Sequence, residues 1–218
     1  MKSGMFLIVM LAFAVVPGWA DVPKPLEVPV SWLLDFDFQP LQAIRVEIPG
    51  EKQPRVFWYL RYAVTNHTSE EPMFVPDFIL YTDTGQMIPA GQKVPAAVFQ
   101  EIKKQYNDPF SKDLSAMAGK ILQGADNAKR GIAIWPDFDP AAGAIDLFVG
   151  GLSGETVQIH LPKPITVKEI DPDGKEKQVQ KSTIVLSRTL HLRYSIPGEA
   201  AGRLKAPVKL VEKDWVMR

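Results

Sequence analysis

Alternation of apolar and polar side chains with a period of two dominates this chain. It is clearest in Arg55–Asn66, where one face of an extended segment carries Val56, Trp58, Leu60, Tyr62 and Val64. This pattern is typical of a β-strand, and the additional aromatic residues on the other face predict a long, well-buried one. Upstream, Gln42–Ile48 alternates in the same way and ends at Pro49-Gly50, which predicts a hairpin between the two segments.

Short segments of the same kind recur through the rest of the chain. Hairpin turns are predicted at Thr82–Gly85, where Gly85 can adopt a positive φ, and at Asp171–Gly174, which has the Asp and Gly residues typical of a tight turn. The further predicted strands are Asp77–Tyr81, Gln86–Ile88, Gly131–Trp135, Ala144–Val149, Thr156–Leu161, Ile165–Ile170, Lys175–Gln180, Thr183–Ile196, Val208–Val211 and Trp215–Met217.

One segment has helical instead of period-two spacing. In Pro95–Tyr106 the apolar residues recur every three to four positions, Pro95 suits a first turn, and Asn107-Asp108-Pro109 ends the run. A second short helix over Asp113–Lys120, with Ser111 as its N-cap, is a weaker candidate. Many short strands with one helix in a connection predict a mainly β fold, an antiparallel immunoglobulin-like β-sandwich with one inserted helix at about 95–106.

Two stretches carry a resemblance to a known class of domain. At Phe78–Gly85 and Gly131–Gly151 the chain resembles exported immunoglobulin-like modules of bacteria, in which a strand ending in a Leu-Tyr-Asp-like turn packs against a late strand that begins at Gly. More broadly, the layout from Trp58 to Gly151 is similar to that of uncharacterised exported proteins of planctomycete-type bacteria. The resemblance implies a sandwich fold and export, and it brings no catalytic residue. The paired cysteines of antibody domains are absent.

The first twenty residues have the pattern of a secretory signal. Lys2 provides the positive charge, Met5–Val16 is an unbroken apolar run, and Gly18 and Ala20 are the small residues that signal peptidase recognises. An uncleaved anchor is the alternative, but the run is shorter than the ~20 residues that span a bilayer. We therefore expect cleavage after Ala20, a signal peptide at 1–20, and a secreted or periplasmic β-sandwich domain at 21–218. A sub-boundary near Lys163 is compatible with the flanking prolines.

Composition and charge narrow the classes of function. The 218 residues include 25 basic and 25 acidic side chains and no cysteine. The absence of cysteine excludes disulfides, thiolate metal sites and a cysteine nucleophile. A neutral chain without a basic stripe is a poor candidate for binding nucleic acid or anionic membrane surfaces, and we expect no membrane insertion after signal cleavage.

Motifs that could carry chemistry are incomplete. Gly151-Leu152-Ser153-Gly154-Glu155 comes nearest to a nucleophile elbow, but Glu155 stands where that motif needs Gly and a strand follows instead of a helix. A turn between two strands is the preferred interpretation. His67, His160 and His191 form no short-spaced ligand pair, and His160 and His191 lie on the more polar side of their strands.

Two acidic groups are the remaining candidates for a metal site. Asp171 with Asp173, and Asp137 with Asp139, have oxygen ligands that suit calcium, but neither continues into a complete calcium loop. Turn formation explains the same residues equally well, and it is preferred. The sequence therefore predicts no catalytic, cofactor-binding or metal-binding residue.

Aromatic side chains are the last lead to function. Trp32, Phe36, Phe38, Phe57 and Tyr59 either form an exposed platform for a glycan or a protein, or bury the second face of their strands, which is the preferred interpretation. The sequence thus predicts an exported, non-enzymatic β-sandwich protein that acts through its surface on an unknown protein or glycan partner in the cell envelope. A carbohydrate- or protein-binding module is the alternative, and a secreted hydrolase is a weaker one.

Overall fold

A computed structural model describes residues 23–28, 30–170, 176–196, 202–204 and 207–218. The predicted signal peptide and the predicted turn at Asp171–Gly174 lie outside the described residues. Within them the chain is mainly β, with strands β1 Asp35–Phe38, β2 Gln42–Val46, β3 Arg55–Thr65, β4 Met73–Phe74, β5 Asp77–Thr82, β6 Met87–Pro89, β7 Gly119–Lys120, β8 Lys129–Pro136, β9 Ala144–Gly150, β10 Thr156–Ile170, β11 Glu176–Ser195 and β12 Lys209–Met217, and helices α1 Ala96–Tyr106 and α2 Leu114–Met117.

The first sheet, sheet I, is built around the long strand β3. One edge of β3 pairs with β8, and the other edge pairs with β2 along its first half and with β1 along its second half. All of these pairings are antiparallel, and the predicted β2–β3 hairpin is confirmed. Most residues on both faces of the strand are apolar or aromatic, and both faces are largely buried.

The second sheet, sheet II, has the order β6, β5, β9, β11, and β11 also pairs with β10 and β12. The predicted β5–β6 hairpin is confirmed, and Gly85 in its turn has a φ of +89°. The prediction of separate short strands after residue 155 is wrong, because β10, β11 and β12 each run through the predicted breaks. A register shift between His160 and Ile165 accommodates Pro162 and Pro164 inside β10.

The inner faces of the two sheets share one hydrophobic core. Phe78 of sheet II contacts three aromatic rings of sheet I, with centroid distances of 6.0 Å to Phe36, 4.8 Å to Tyr62 and 6.5 Å to Trp135. The predicted inward face of β3 is confirmed, since Trp58 has no exposed surface. These contacts make the core continuous from β3 to β11.

The other face of sheet I is covered by α1. Val98 and Ile102 of the helix pack against Phe57 and Tyr59 of β3 in a second apolar cluster. Pro95 is the N-cap of α1 and lies outside its first turn, because its ψ of 144° is extended. The longest helix among the described residues has 11 residues, and none there is long and apolar enough to cross a membrane.

The prediction of a single inserted helix is incomplete. A second helix, α2, forms within the segment that the sequence marked as a weaker candidate, but Asp113 caps it by accepting a hydrogen bond from the N–H of Ala116. The prediction of Ser111 as the N-cap is wrong, because its hydroxyl donates to the carboxylate of Asp108. Asp113 is the N-cap because its carboxylate reaches the third backbone N–H of the helix.

Candidate functional site

The outward side of sheet II carries the most concentrated set of polar and aromatic groups. We call Tyr81, Asp146, Phe148, His191 and Asp214 the outer face. The strands β5 and β9 alternate strictly, and β11 alternates from Leu190 to Tyr194, so that the residues next to these in sequence, such as Leu80, Leu147 and Leu192, enter the core. All five outer-face residues are half-buried, and they come from β5, β9, β11 and β12.

His191 lies at the centre of the outer face and joins three strands. It pairs across the sheet with Phe148 of β9 and with Asp214 of β12. Its Nδ1 is 2.7 Å from Oδ1 of Asp214, and its Nε2 is 2.8 Å from Oδ1 of Asp146. Both partners are carboxylate oxygens, which only accept hydrogen bonds, so the imidazolium is the form that can donate to both. The ring therefore bridges two carboxylates.

Aromatic rings continue from His191 across the sheet. The imidazole stacks on Phe148 at 4.8 Å and 17°, and Phe148 meets Tyr81 edge-on at 5.6 Å. The guanidinium of Arg218 lies over both rings, 4.5 Å from the centroid of Phe148 and 4.9 Å from that of Tyr81. It also donates to the hydroxyl of Tyr81. A flat group thus already stacks on this row of rings.

A buried ion pair joins the middle of β11 to the residue that precedes β10. Arg188 donates to Oε2 of Glu155 at 2.8 Å, and the Leu26 N–H donates to Oε1 of the same carboxylate at 2.9 Å. The bond from Leu26 opposes the effect of burial and, together with Arg188, holds the pKa of the Glu155 carboxyl below its ordinary value. The pair ties the segment before β1 to sheet II.

The aromatic residues singled out in the sequence do not form an exposed platform. Phe36, Phe57 and Tyr59 are buried, and Trp32 and Phe38 are half-buried. The preferred interpretation, burial of a second strand face, is confirmed for β3, because α1 covers it. The outward-facing row of aromatic rings lies instead on sheet II, where its members are half-buried.

The acidic pair Asp137 and Asp139 is engaged by the protein itself. Asp137 accepts hydrogen bonds from Nε1 of Trp58 at 2.8 Å and from Arg203, and the carboxylate of Asp139 accepts the N–H of Ala141 at 2.9 Å. The guanidinium of Arg203 therefore supplies the positive charge at Asp137 that a bound calcium ion would otherwise supply. The candidate pair Asp171 and Asp173 lies outside the described residues.

Ser153 lies in the connection between the strands β9 and β10, where it forms an isolated bridge with Leu33. Its side chain is buried, and its Oγ accepts the N–H of Glu155 at 3.1 Å. In the part of the chain that the structure describes, no histidine hydrogen bonds to Ser153, and no three side chains of His, Asp and Glu gather as metal ligands. His67 instead lies 3.4 Å from Asp35 in an exposed ion pair, and His160 is exposed opposite Thr183.

The sequence predicted which side of each strand the outer-face residues occupy, but not which of them lie together. Alternation placed His191 on the polar side of its strand, and the same reasoning applies to Asp146 and Phe148 of β9. That β9 and β12 flank β11 on its two edges is a property of the sheet order. The convergence of Asp146 and Asp214 on His191 could therefore not be predicted.

Comparison with known proteins adds no relative to this description. No family model matches the chain, and neither a curated protein nor a solved structure matches it. The functional argument therefore rests on the geometry of the outer face.

Proposed function

We propose that this protein is an exported, non-enzymatic β-sandwich of immunoglobulin-like type that binds a neutral glycan of the cell envelope through its outer face. The apolar core shared by sheets I and II supports the sandwich, and the signal pattern of Met1–Ala20 supports export. The resemblance to exported planctomycete-type proteins is part of the same proposal. The aromatic row beside His191 is the observation that carries glycan binding.

Aromatic rings and paired carboxylates together suit a sugar. A pyranose that displaces the guanidinium of Arg218 can stack its C–H face on Phe148 and Tyr81, while its hydroxyls donate to Asp146 and Asp214. The displaced guanidinium of Arg218 and that of Arg193, whose Nε is 3.8 Å from Asp146, then supply donors beside the rings. The positive and negative groups nearly balance, which favours a neutral glycan over a charged one.

The same contacts argue against hydrolysis at this face. In a glycosidase the substrate lies between two carboxyl groups, whereas here the imidazole of His191 fills the space between Asp146 and Asp214. Both nitrogens of that imidazole are engaged, which leaves none to activate a nucleophile. Binding without turnover is the function that this arrangement supports.

Affinity electrophoresis through gels that contain dextran, laminarin, xylan or galactomannan tests the proposal, together with co-sedimentation on isolated peptidoglycan. We expect at least one glycan to retard the wild-type protein, and Phe148→Ala to weaken that retardation about tenfold through lost stacking. Phe110→Ala removes an equally large ring that is 71% exposed and outside the outer face, so it serves as the matched control.

Failure of every glycan to bind the wild-type protein would reject the proposed function. So would equal binding by the Phe148→Ala and Phe110→Ala proteins. A third variant, Asp214→Asn, keeps the shape of the side chain and removes its charge, and we expect weaker binding with an unchanged thermal midpoint. Circular dichroism of each variant checks that the sheets are intact.

A further inference from the structure

A second surface, on the side of sheet I, gathers positive charge. A cleft of about 470 Å³ beside the start of β8 is lined by the cations Lys112, Lys120, Lys129 and Arg130, and Asp126 is the acidic side chain in its lining. We call these four cations with the neighbouring apolar side chains Met73, Phe110 and Leu122 the basic face. None of these residues belongs to the outer face.

Two of the cations form no ion pair with a side chain in the described residues. Among the described residues, Lys112 and Lys129 form no ion pair, whereas Lys120 lies 3.6 Å from Glu71 and Arg130 lies 3.8 Å from Asp108. Lys129 is half-buried, and burial together with the charge of Lys112 lowers the pKa of its ammonium group. Two neighbouring lysines that repel one another create a place for an external anion.

Large apolar side chains surround these charges and face water. Phe110 is 71% exposed and Leu122 is 48% exposed, and both line the same cleft as the lysines. Met73 is 58% exposed and pairs directly with Lys120 across the β4–β7 ladder, so the two side chains lie on one side of it. Exposed apolar groups that cluster with cations mark an interaction surface.

From this combination we propose that the basic face binds the surface of an anionic phospholipid bilayer. Lysine is depleted in the cores of protein–protein interfaces, but three of the four cations here are lysines. Their alkyl stems can lie along apolar surface while the ammonium groups reach lipid phosphates. Phe110, Leu122 and Met73 then enter the boundary between headgroups and acyl chains, as apolar side chains do in interfacial binding.

The overall charge of the chain conceals this surface. The balance of 25 basic and 25 acidic residues predicted no attraction to anionic membranes. Attraction falls off within about one Debye length, roughly 10 Å at 0.1 M salt, so the local arrangement of charge decides whether a membrane binds. The proposal goes beyond glycan binding and does not depend on it.

Co-sedimentation with vesicles tests the proposal, with protein purified from a secreting host. Vesicles of phosphatidylglycerol mixed with phosphatidylcholine are compared with vesicles of phosphatidylcholine alone. We expect binding to the anionic vesicles that is lost at high salt, and a decrease of at least about tenfold for the double variant Lys112→Glu, Lys129→Glu. The double variant Lys52→Glu, Lys104→Glu makes the same charge change at exposed positions outside the cleft and should bind almost as the wild type does.

A separate variant, Phe110→Ala, tests the apolar contribution without a change of charge. We expect it to weaken vesicle binding while leaving glycan binding and the thermal midpoint unchanged. Equal binding of wild type and the Lys112→Glu, Lys129→Glu variant to anionic vesicles would overturn the proposal, as would the absence of any binding at low salt. Binding to polyglutamate or inorganic phosphate that depends on these lysines, without vesicle binding, would assign the basic face to a soluble anion and reject the membrane.

Discussion

At the scale of single residues, a few buried polar contacts determine which side chains are available for function. Asp137, which the sequence offered as a calcium ligand, is engaged by Trp58 and Arg203, and Glu155, which replaces the Gly of an elbow motif, is engaged by Leu26 and Arg188. The two carboxylate partners of His191 are half-buried and lie beside the aromatic rings of the outer face. That position, and not exposure alone, distinguishes the functional candidate from the structural ones.

Trp58→Ala should destabilise the protein by about 3–5 kcal/mol, because it leaves a cavity in the core. The ring stacks on Phe138 at 5.1 Å, and its Nε1 is the donor to Asp137, so the variant also removes a hydrogen bond. Urea unfolding measures the loss. Phe110→Ala, at an exposed ring, should change the free energy of unfolding by at most ~0.5 kcal/mol. A Trp58→Ala midpoint equal to that of the wild type would contradict the assignment of the inner face.

At the scale of elements, the outward faces of the strands have different surroundings in sheet I and in sheet II. The outward residues of β3 are covered by α1, whereas in the described part of the chain no helix covers the outward residues of β9 and β11. The side of a strand that is polar in sequence is therefore the side that stays open in sheet II. The ion pair of Glu155 and Arg188 joins the interior of β11 to the residue before β10.

Glu155→Gln should lower the free energy of unfolding by roughly 3–5 kcal/mol at neutral pH, because it leaves the buried guanidinium of Arg188 without its counter-charge. The pKa of Glu155 is lowered in the folded protein, so its stabilising effect is present above the pKa of the unfolded chain and is lost as the pH falls through the folded pKa. Urea unfolding at a series of pH values from neutral to acidic should show the gap between wild type and variant shrinking with acid.

A control for this pH dependence is Glu51→Gln, which removes an exposed partner of Arg55. This variant should change the free energy of unfolding by less than about 0.5 kcal/mol. If the difference in the free energy of unfolding between wild type and Glu155→Gln is the same at all pH values, the carboxylate is not the stabilising form.

At the scale of the whole molecule, a balanced total charge coexists with a local excess of positive charge. The basic face includes two lysines that form no ion pair with a described residue, whereas the outer face has carboxylates around an imidazole. With these two faces, the protein is proposed to hold a glycan and a bilayer at separate surfaces. The proposed export would place it where both ligands occur, so the signal is the first point to verify.

Expression in a secreting host should yield a product whose N-terminal residue is Asp21, because Gly18 and Ala20 precede it at the positions that signal peptidase recognises. N-terminal sequencing of the recovered protein measures this. Leu11→Arg places a charge in the apolar run and should retain the precursor, uncleaved, inside the cell. Recovery of wild-type protein that begins at Met1 in the membrane fraction would contradict the assignment.

The sequence by itself determined β2, β3, β5, β6, β8 and β9, the early hairpins and the inward face of β3, because each depends on alternation or turn chemistry within a few neighbouring residues. The strands β1, β4 and β7 were not predicted, and β10 to β12 were each divided in two. In β10 the reason is that Pro162 and Pro164 signal a break that a bulge absorbs.

Only the tertiary structure decided which polar groups meet. Glu155 and Leu26 are 129 positions apart, Asp137 and Arg203 are 66, and His191 and Asp146 are 45. Such contacts depend on strand order and register, which local pattern does not encode. The same holds for the basic face, where chain folding brings Lys112 beside Lys129 and leaves their charges without a partner in the described residues. The elements follow from local physical chemistry, and the two candidate binding surfaces follow from how those elements are arranged.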